Sequence, residues 1–132
     1  MLIMDNSDLS NYWLLVAEDN DDTRLLISES LKKTGINLLF AVNGIEAVEL
    51  FQSNPSINLV LMDAMMPEKS GFEATRVIKQ INPEVPVVML TAYVGPDSIK
   101  QAVASGCNDY LSKPIKPGVL LSVIEKWSKG QD

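Results

Sequence analysis

Asp63 ends the apolar run Leu59-Val60-Leu61-Met62 and is followed at once by Ala64-Met65-Met66-Pro67. A carboxylate at the end of a buried strand costs free energy unless something at that edge uses it. Three other strand-like runs end in the same manner. Residues 12–17 lead into Glu18-Asp19, residues 87–90 into Thr91, and residues 109–112 into Lys113. Brought to one edge of a sheet, these endings form a pocket of carboxylates with a hydroxyl and an ammonium. Carboxylate oxygens suit a hard divalent cation such as Mg2+, which keeps several of its waters. Crowded carboxylates also repel one another, and a cation among them relieves that repulsion. A carboxylate can accept a phosphoryl group as a mixed anhydride. Such transfer depends chiefly on positioning and charge neutralisation. Asp63 is thus a candidate nucleophile, a metal ligand, or both through its two oxygens.

Each residue taken singly also has a plain structural reading. Glu18-Asp19 could be a helix-capping turn, but Asn20, Asp21 and Asp22 already offer caps and first-turn negative charge. Lys113 precedes Pro114 and so has a restricted, extended backbone. Its ammonium could bind Asp63 at rest and a phosphoryl oxygen after transfer, whereas a lone lysine is usually solvated. Thr91 is either a hydroxyl donor to the same phosphoryl group or an ordinary β-branched strand residue. Tyr110 lies three residues before Lys113. It is either core or an aromatic that alternates between buried and exposed positions, and the sequence favours neither. The acids, Thr91 and Lys113 at matching strand ends make a stronger signal than any member alone.

Strand-like and helix-like segments alternate along the chain. The expected strands are 12–17, 38–42, 59–63, 87–91 and 109–112. The first helix runs from the Asn20 cap through Leu25, Ile27 and Leu31, with Lys32-Lys33 in its last turn and Gly35 as its stop. Asn43-Gly44 reads as a turn before a helix over 45–52, with Val48 and Phe51 toward the core. Asn54-Pro55 breaks the chain. The helix after Gly71 carries Ala74, Val77, Ile78 and Ile81 on one stripe. Pro96 suits the first turn of the next helix, whose expected core face is Ile99, Ala102 and Val103, and Gly106 ends it. The last helix opens near Pro117 and carries Leu120, Val123, Ile124 and Trp127. Strand–helix units with short connections predict a parallel sheet covered by helices on both faces. In such sheets ligands bind at the carboxyl ends of the strands.

The chain has 132 residues, 46% of them hydrophobic and 21% charged, which suits one folded domain. Its net charge of -6, with no basic cluster, opposes binding to nucleic acid. It contains no histidine, which removes the usual general base and zinc ligand. The single cysteine, Cys107, cannot form an internal disulfide and reads as a small packed residue near a turn. No apolar run has the ~20 residues of a membrane span, and the start lacks the basic residues of a secretory signal. A cytoplasmic location is expected. Residues 1–11 read as a loose leader, 12–127 as the domain and 128–132 as a tail.

The chain resembles the receiver domains of two-component response regulators over residues 12–127. The resemblance rests on Val16-Ala17-Glu18-Asp19-Asn20, Asn43-Gly44-Ile45-Glu46-Ala47, and Leu61-Met62-Asp63-Ala64-Met65-Met66-Pro67 with Gly71-Phe72-Glu73. It continues in Leu90-Thr91-Ala92 and in Gly106-Cys107-Asn108-Asp109-Tyr110-Leu111-Ser112-Lys113-Pro114. It implies an α/β, flavodoxin-like (βα)5 fold, doubly wound around a five-stranded parallel sheet of order 2-1-3-4-5. It implies that Asp63 is the phosphoacceptor and that Asp19 ligates Mg2+ (or Mn2+) directly, with Glu18 acting mainly through water. The backbone carbonyl of Met65 would complete the protein ligands. Thr91 and Lys113 would hold the phosphoryl group, Tyr110 would be the aromatic switch, and Lys113-Pro114 would be a cis peptide. The donor implied is a histidine kinase or histidine phosphotransfer protein. The implied output is a change in a protein-interaction face near residues 96–127, toward an output protein, an attached effector or a second copy of the chain. That is a signalling switch and not an enzyme. With no effector segment read after Trp127, output is expected to pass through protein contacts, or the chain is expected to be part of a longer regulator or hybrid kinase.

Two positions depart from the family's commoner residues. Ser70 stands where an Asp is frequent before Gly71, which should alter only a loop, and Glu18 replaces the commoner Asp, which should shift the water shell of the metal. Met65 and Tyr93 lie two residues beyond Asp63 and Thr91. Both are large and uncharged, and they are expected to obstruct the hydrolytic water and prolong the phosphorylated state. Two rival chemistries fit less well. An aspartyl phosphatase would want a second acid where Met65 stands, and a flavin-binding domain would want a phosphate-binding loop where Glu18-Asp19 stand. An interaction module that keeps the fold without being phosphorylated is opposed by the complete set of acids, Thr91 and Lys113.

Overall fold

Short apolar strands alternate with helices that each bury one stripe. The computed structural model describes residues 8–92 and 95–129. The order is β1 (Trp13–Ala17), α1 (Asp21–Leu31), a 3-10 turn (Lys32–Thr34), β2 (Asn37–Ala41), α2 (Gly44–Ser53), β3 (Leu59–Asp63), α3 (Gly71–Ile81), β4 (Val87–Thr91), α4 (Pro96–Ser105), β5 (Asp109–Ser112) and α5 (Pro117–Lys129). All strand pairs are parallel and the sheet order is β2-β1-β3-β4-β5. The chain therefore has the flavodoxin-like arrangement expected above. Strands β3 and β4 are buried along their whole lengths, because helices cover both faces of the sheet.

Alternation along the strands divides the core in two. Leu15, Ala17, Val60, Met62, Val87 and Met89 face the layer of α2, α3 and α4, where Phe51, Ala74, Ile78 and Ala102 meet them. Leu14, Val16, Leu59, Leu61, Val88 and Leu90 face the layer of α1 and α5, where Ile27, Leu31, Leu120 and Ile124 meet them. Cys107 is a half-buried free thiol packed at the edge of the first cluster, and burial pushes its thiol up from the usual range. Gly35 and Gly106 end their helical segments with φ of 75° and 90°, the left-handed conformation glycine adopts without strain.

Two expectations from the sequence are corrected. The inward face of α4 was expected at Ile99, Ala102 and Val103. Ala102 and Ser105 are buried, whereas Ile99 is 39% and Val103 72% exposed. Each residue turns a helix by about 100°, so a face of small residues at 102 and 105 rotates Val103 outward. The stripe identifies an apolar face but not whether that face is covered. The second correction concerns the expected leader and tail. Leu9 is buried, its N–H donates to the Thr34 carbonyl at 2.7 Å, and the Asn37 side chain donates to the Ser10 carbonyl at 2.9 Å. At the other end α5 continues through Lys129, and Ser128 is buried. Packing thus extends beyond 12–127 in both directions.

Thr75 is fully buried in α3, and its hydroxyl has no partner among the described residues. An unpaired buried hydroxyl costs on the order of 1–3 kcal/mol. Thr75→Val removes it at almost constant volume and is expected to raise stability by about 1 kcal/mol. The midpoint of urea unfolding measures this, and a fall in stability would contradict it.

Candidate functional site

The carboxyl ends of β1, β3 and β4 open on one side of the sheet, and the loops beyond them carry the predicted chemistry. Glu18 directly follows β1. Its N–H donates to the Ala41 carbonyl at 2.9 Å, which continues the ladder one step past the strand. The side chain then turns inward and is fully buried. Its Oε2 accepts the Asn20 N–H at 3.1 Å. Its Oε1 lies 2.9 Å from Lys113 Nζ, an ion pair off the best hydrogen-bond direction. Burial pushes the Glu18 carboxyl up from the usual range, and the Asp63 charge pushes the same way. The Lys113 and Asn20 bonds oppose that shift without cancelling it. Asp19, the next residue, is exposed. Asn20 then caps α1 by accepting the Thr23 N–H at 2.8 Å.

Asp63 is the last residue of β3 and is 4% exposed. Its Oδ1 accepts the Met65 N–H at 3.2 Å and its Oδ2 accepts from Lys113 Nζ at 3.1 Å. Lys113 follows β5, with its own N–H donating to the Thr91 carbonyl at 2.8 Å. One ammonium therefore bridges two buried carboxylates. Burial pulls the Lys113 amine down, but Glu18 and Asp63 together hold it above its ordinary value. The Lys113–Pro114 peptide is cis, as the resemblance implied.

Ligand atoms of Glu18, Asp19 and Asp63 all lie within 4.8 Å of one another, close enough to share a metal ion. One lysine does not balance three acids, so the donor set fits a small oxygen-loving cation. The acids open onto a cleft of about 470 Å³ lined by Glu18, Asp19, Asn20, Thr23, Asp63, Met65, Ala92 and Lys113. The structure thus brings together the predicted acids, Met65 and Lys113. Thr91 and Tyr110 instead line a neighbouring recess of about 10 Å³ with Phe72, Met89, Ser98, Ile99 and Ala102. Thr91 is buried there, while Tyr110 is 43% exposed. Tyr93 lies outside the described residues.

Two glycines emerge that the sequence marked only as a turn and a helix start. A Cβ on Gly71 would stand 2.0 Å from the Asp63 carbonyl oxygen, and one on Gly44 would stand 2.2 Å from the Lys69 carbonyl oxygen. Both places require close backbone approach, not a special φ. They seat the loop after β3 against the starts of α3 and α2. Ser70, the departure noted above, caps α3: its hydroxyl accepts the Glu73 N–H at 3.2 Å, and the Glu73 carboxylate accepts the Ser70 N–H at 3.3 Å. That capping box explains why serine serves here.

Comparison with known proteins points to one family. The family model described as the response regulator receiver domain matches residues 14–125. The chain is 35% identical over 120 residues to the hybrid signal transduction protein dokA of Dictyostelium discoideum, covering 89% of this chain and 7% of that protein. It is also 35% identical over 120 residues to the sensor histidine kinase GacS of Pseudomonas protegens, covering 87% of this chain and 13% of that protein. The chain thus spans a small part of each of these longer relatives. A receiver domain crystal structure from Clostridium thermocellum superposes with a TM-score of 0.83 at 30% identity, covering 91% of this chain and 96% of that one. A parallel sheet of order 2-1-3-4-5, an acid cluster with one lysine at its carboxyl edge, and a family match across nearly the whole domain lead to one conclusion: this chain belongs to the response regulator receiver domain family.

Proposed function

We propose that Asp63 accepts a phosphoryl group from a phosphohistidine on a histidine kinase or histidine phosphotransfer protein. The observation that carries this is the setting of Asp63: buried at a strand end, bound by Lys113 and grouped with two further acids. A carboxylate oxygen of Asp63 forms the new P–O bond as the P–N bond breaks. The imidazole nitrogen leaves with the bonding pair and takes a proton from water. Asp19, Asp63 and the Met65 carbonyl would hold Mg2+, with Glu18 behind them. The bound ion supplies charge neutralisation for the phosphoryl oxygens. Glu18 already spends one oxygen on Lys113 and the other on the Asn20 N–H, which suits an indirect role. Lys113 is placed to exchange the Asp63 oxygen it holds at rest for a phosphoryl oxygen. Radiolabel transfer from a phosphorylated histidine phosphotransfer domain tests this reading. Label on the wild type and none on Asp63→Asn supports it, and equal labelling contradicts it.

The output follows from Thr91 and Tyr110. A recess of about 10 Å³ has room for about one water and not for a phenol ring. Movement of Thr91 toward the phosphoryl group would enlarge the recess and let Tyr110 turn inward. That motion would remodel the surface of α4 and β5, where Ile99, Val103 and Tyr110 are exposed and partners or a second copy would dock. The chain then serves as a switch in the cytoplasm and not as an enzyme with turnover. Among the described residues no helix is long and apolar enough to cross a membrane.

Met65 is 73% exposed at the rim of the cleft, which suits a residue that screens the phosphoryl group from water. Replacing Met65 and Tyr93 together with small or amide side chains is expected to speed dephosphorylation by about tenfold, a barrier change of about 1.4 kcal/mol. Loss of label over time measures it, and an unchanged lifetime would sink the idea.

A further inference from the structure

We infer that Arg24 is a positioning residue for the cation site, acting through the Glu18 backbone. This rests on the reading that Glu18, Asp19 and Asp63 hold a divalent cation. Among the described residues the Asp19 carboxylate has no hydrogen-bond or ion-pair partner. No described side chain aims it, so its direction is set by the backbone of the loop between β1 and α1. The Glu18 carbonyl and the Asp19 N–H share one peptide plane, and turning that plane swings Asp19 away from Asp63. Arg24 is the side chain that fixes the plane. Its Nη1 donates to the Glu18 carbonyl at 2.6 Å. Its Nη2 donates to the Asp21 carboxylate. Its own backbone N–H donates to the Asn20 carbonyl at 3.0 Å. Arg24 thus reaches from the first turn of α1 back to the end of β1 and spans the loop that carries Asp19. Its side chain is 21% exposed, so the bond to the Glu18 carbonyl is partly shielded from water, whereas the Asp21 side is open to solvent.

Geometry and charge predict opposite signs. A guanidinium beside a cation site repels the cation, so a purely electrostatic Arg24 weakens Mg2+ binding and its removal tightens it. A positioning Arg24 strengthens Mg2+ binding and its removal weakens it. Asp21 already offsets the Arg24 charge, which favours the geometric effect.

The test is titration of the cation-free protein with MgCl2, followed by the backbone amide signals of Asp19 and Asp63. Wild type, Arg24→Met and Arg24→Gln are compared, each with its unfolding temperature in chelator. Both variants are expected to raise the Mg2+ dissociation constant by about tenfold, as outer groups around metal ligands typically do. Affinity is read below the unfolding temperature, so a stability loss alone does not move it. Unchanged or tighter Mg2+ binding in the variants would overturn the inference while leaving the cation site standing. Absence of Mg2+ binding in the wild type would overturn the cation reading, and the role of Arg24 with it. If Arg24→Met does not fold, Arg24→Gln decides, because it is neutral and more readily solvated.

Discussion

Replacing Lys113 with Met is expected to lower the stability of the cation-free protein by about 2 kcal/mol near neutral pH. Lys113 Nζ stands 2.9 Å from Glu18 and 3.1 Å from Asp63, and both carboxylates are buried. Removing the ammonium leaves two acids facing one another with no counter-charge. Breaking a fully buried pair costs about 3–5 kcal/mol. The figure here is lower because the lysine is 24% exposed and because Glu18, already raised by burial, escapes by taking a proton. The pH dependence has a definite sign. The folded Lys113 amine lies above its ordinary value of 10.5. Its stabilisation is therefore complete below that value and is lost as pH rises through the folded one. Wild type and Lys113→Met should differ at pH ~7 and converge at alkaline pH above ~10.5. Urea unfolding in chelator across that range measures both effects. Equal stability at neutral pH would show that the ion pairs contribute nothing.

Gly71→Ala is the second large effect, an expected loss of about 3 kcal/mol. The added methyl would lie 2.0 Å from the Asp63 carbonyl oxygen, 2.8 Å from its carbonyl carbon and 3.0 Å from the Ala64 Cα. All three are backbone atoms, so no flexible side chain can yield. Alanine in place of glycine commonly gains about 0.4–1 kcal/mol through the unfolded chain. That gain is smaller than the clash. The loop after β3 would have to shift and carry Asp63 with it, so phosphoryl uptake should fall with stability. Thermal unfolding and phosphorylation rate are measured on the same sample. A stable Gly71→Ala with normal uptake would contradict the close approach.

Strand ends were legible because burial and chemistry conflict there. An acid after Leu59-Val60-Leu61-Met62 has no packing reason, and the parallel fold brings it beside Glu18 and Lys113. Strand and helix succession was legible because period and punctuation are local. The sheet order came from the resemblance and is the observed one. What escaped depends on contacts between distant segments. The stripe at Ile99, Ala102 and Val103 places Ala102 inward but does not reveal that Ser105 joins it while Ile99 and Val103 stay exposed. Nothing local tells that Leu9 reaches Thr34, or that Gly44 and Gly71 each sit against a backbone carbonyl. Nothing local marks Arg24, because its target is a carbonyl six positions back.

The proposed role of Asp63 is that of a phosphoacceptor dependent on a divalent cation. Intact mass of the purified protein after a small acyl-phosphate donor tests it most directly, with Mg2+ and then with chelator, on wild type and Asp63→Asn. Wild type with Mg2+ is expected to gain one phosphoryl group, and neither wild type with chelator nor the variant is expected to gain any. Phosphoryl uptake by Asp63→Asn, or no uptake by a folded wild type that binds Mg2+ and is offered a phosphorylated histidine protein as well, would contradict it.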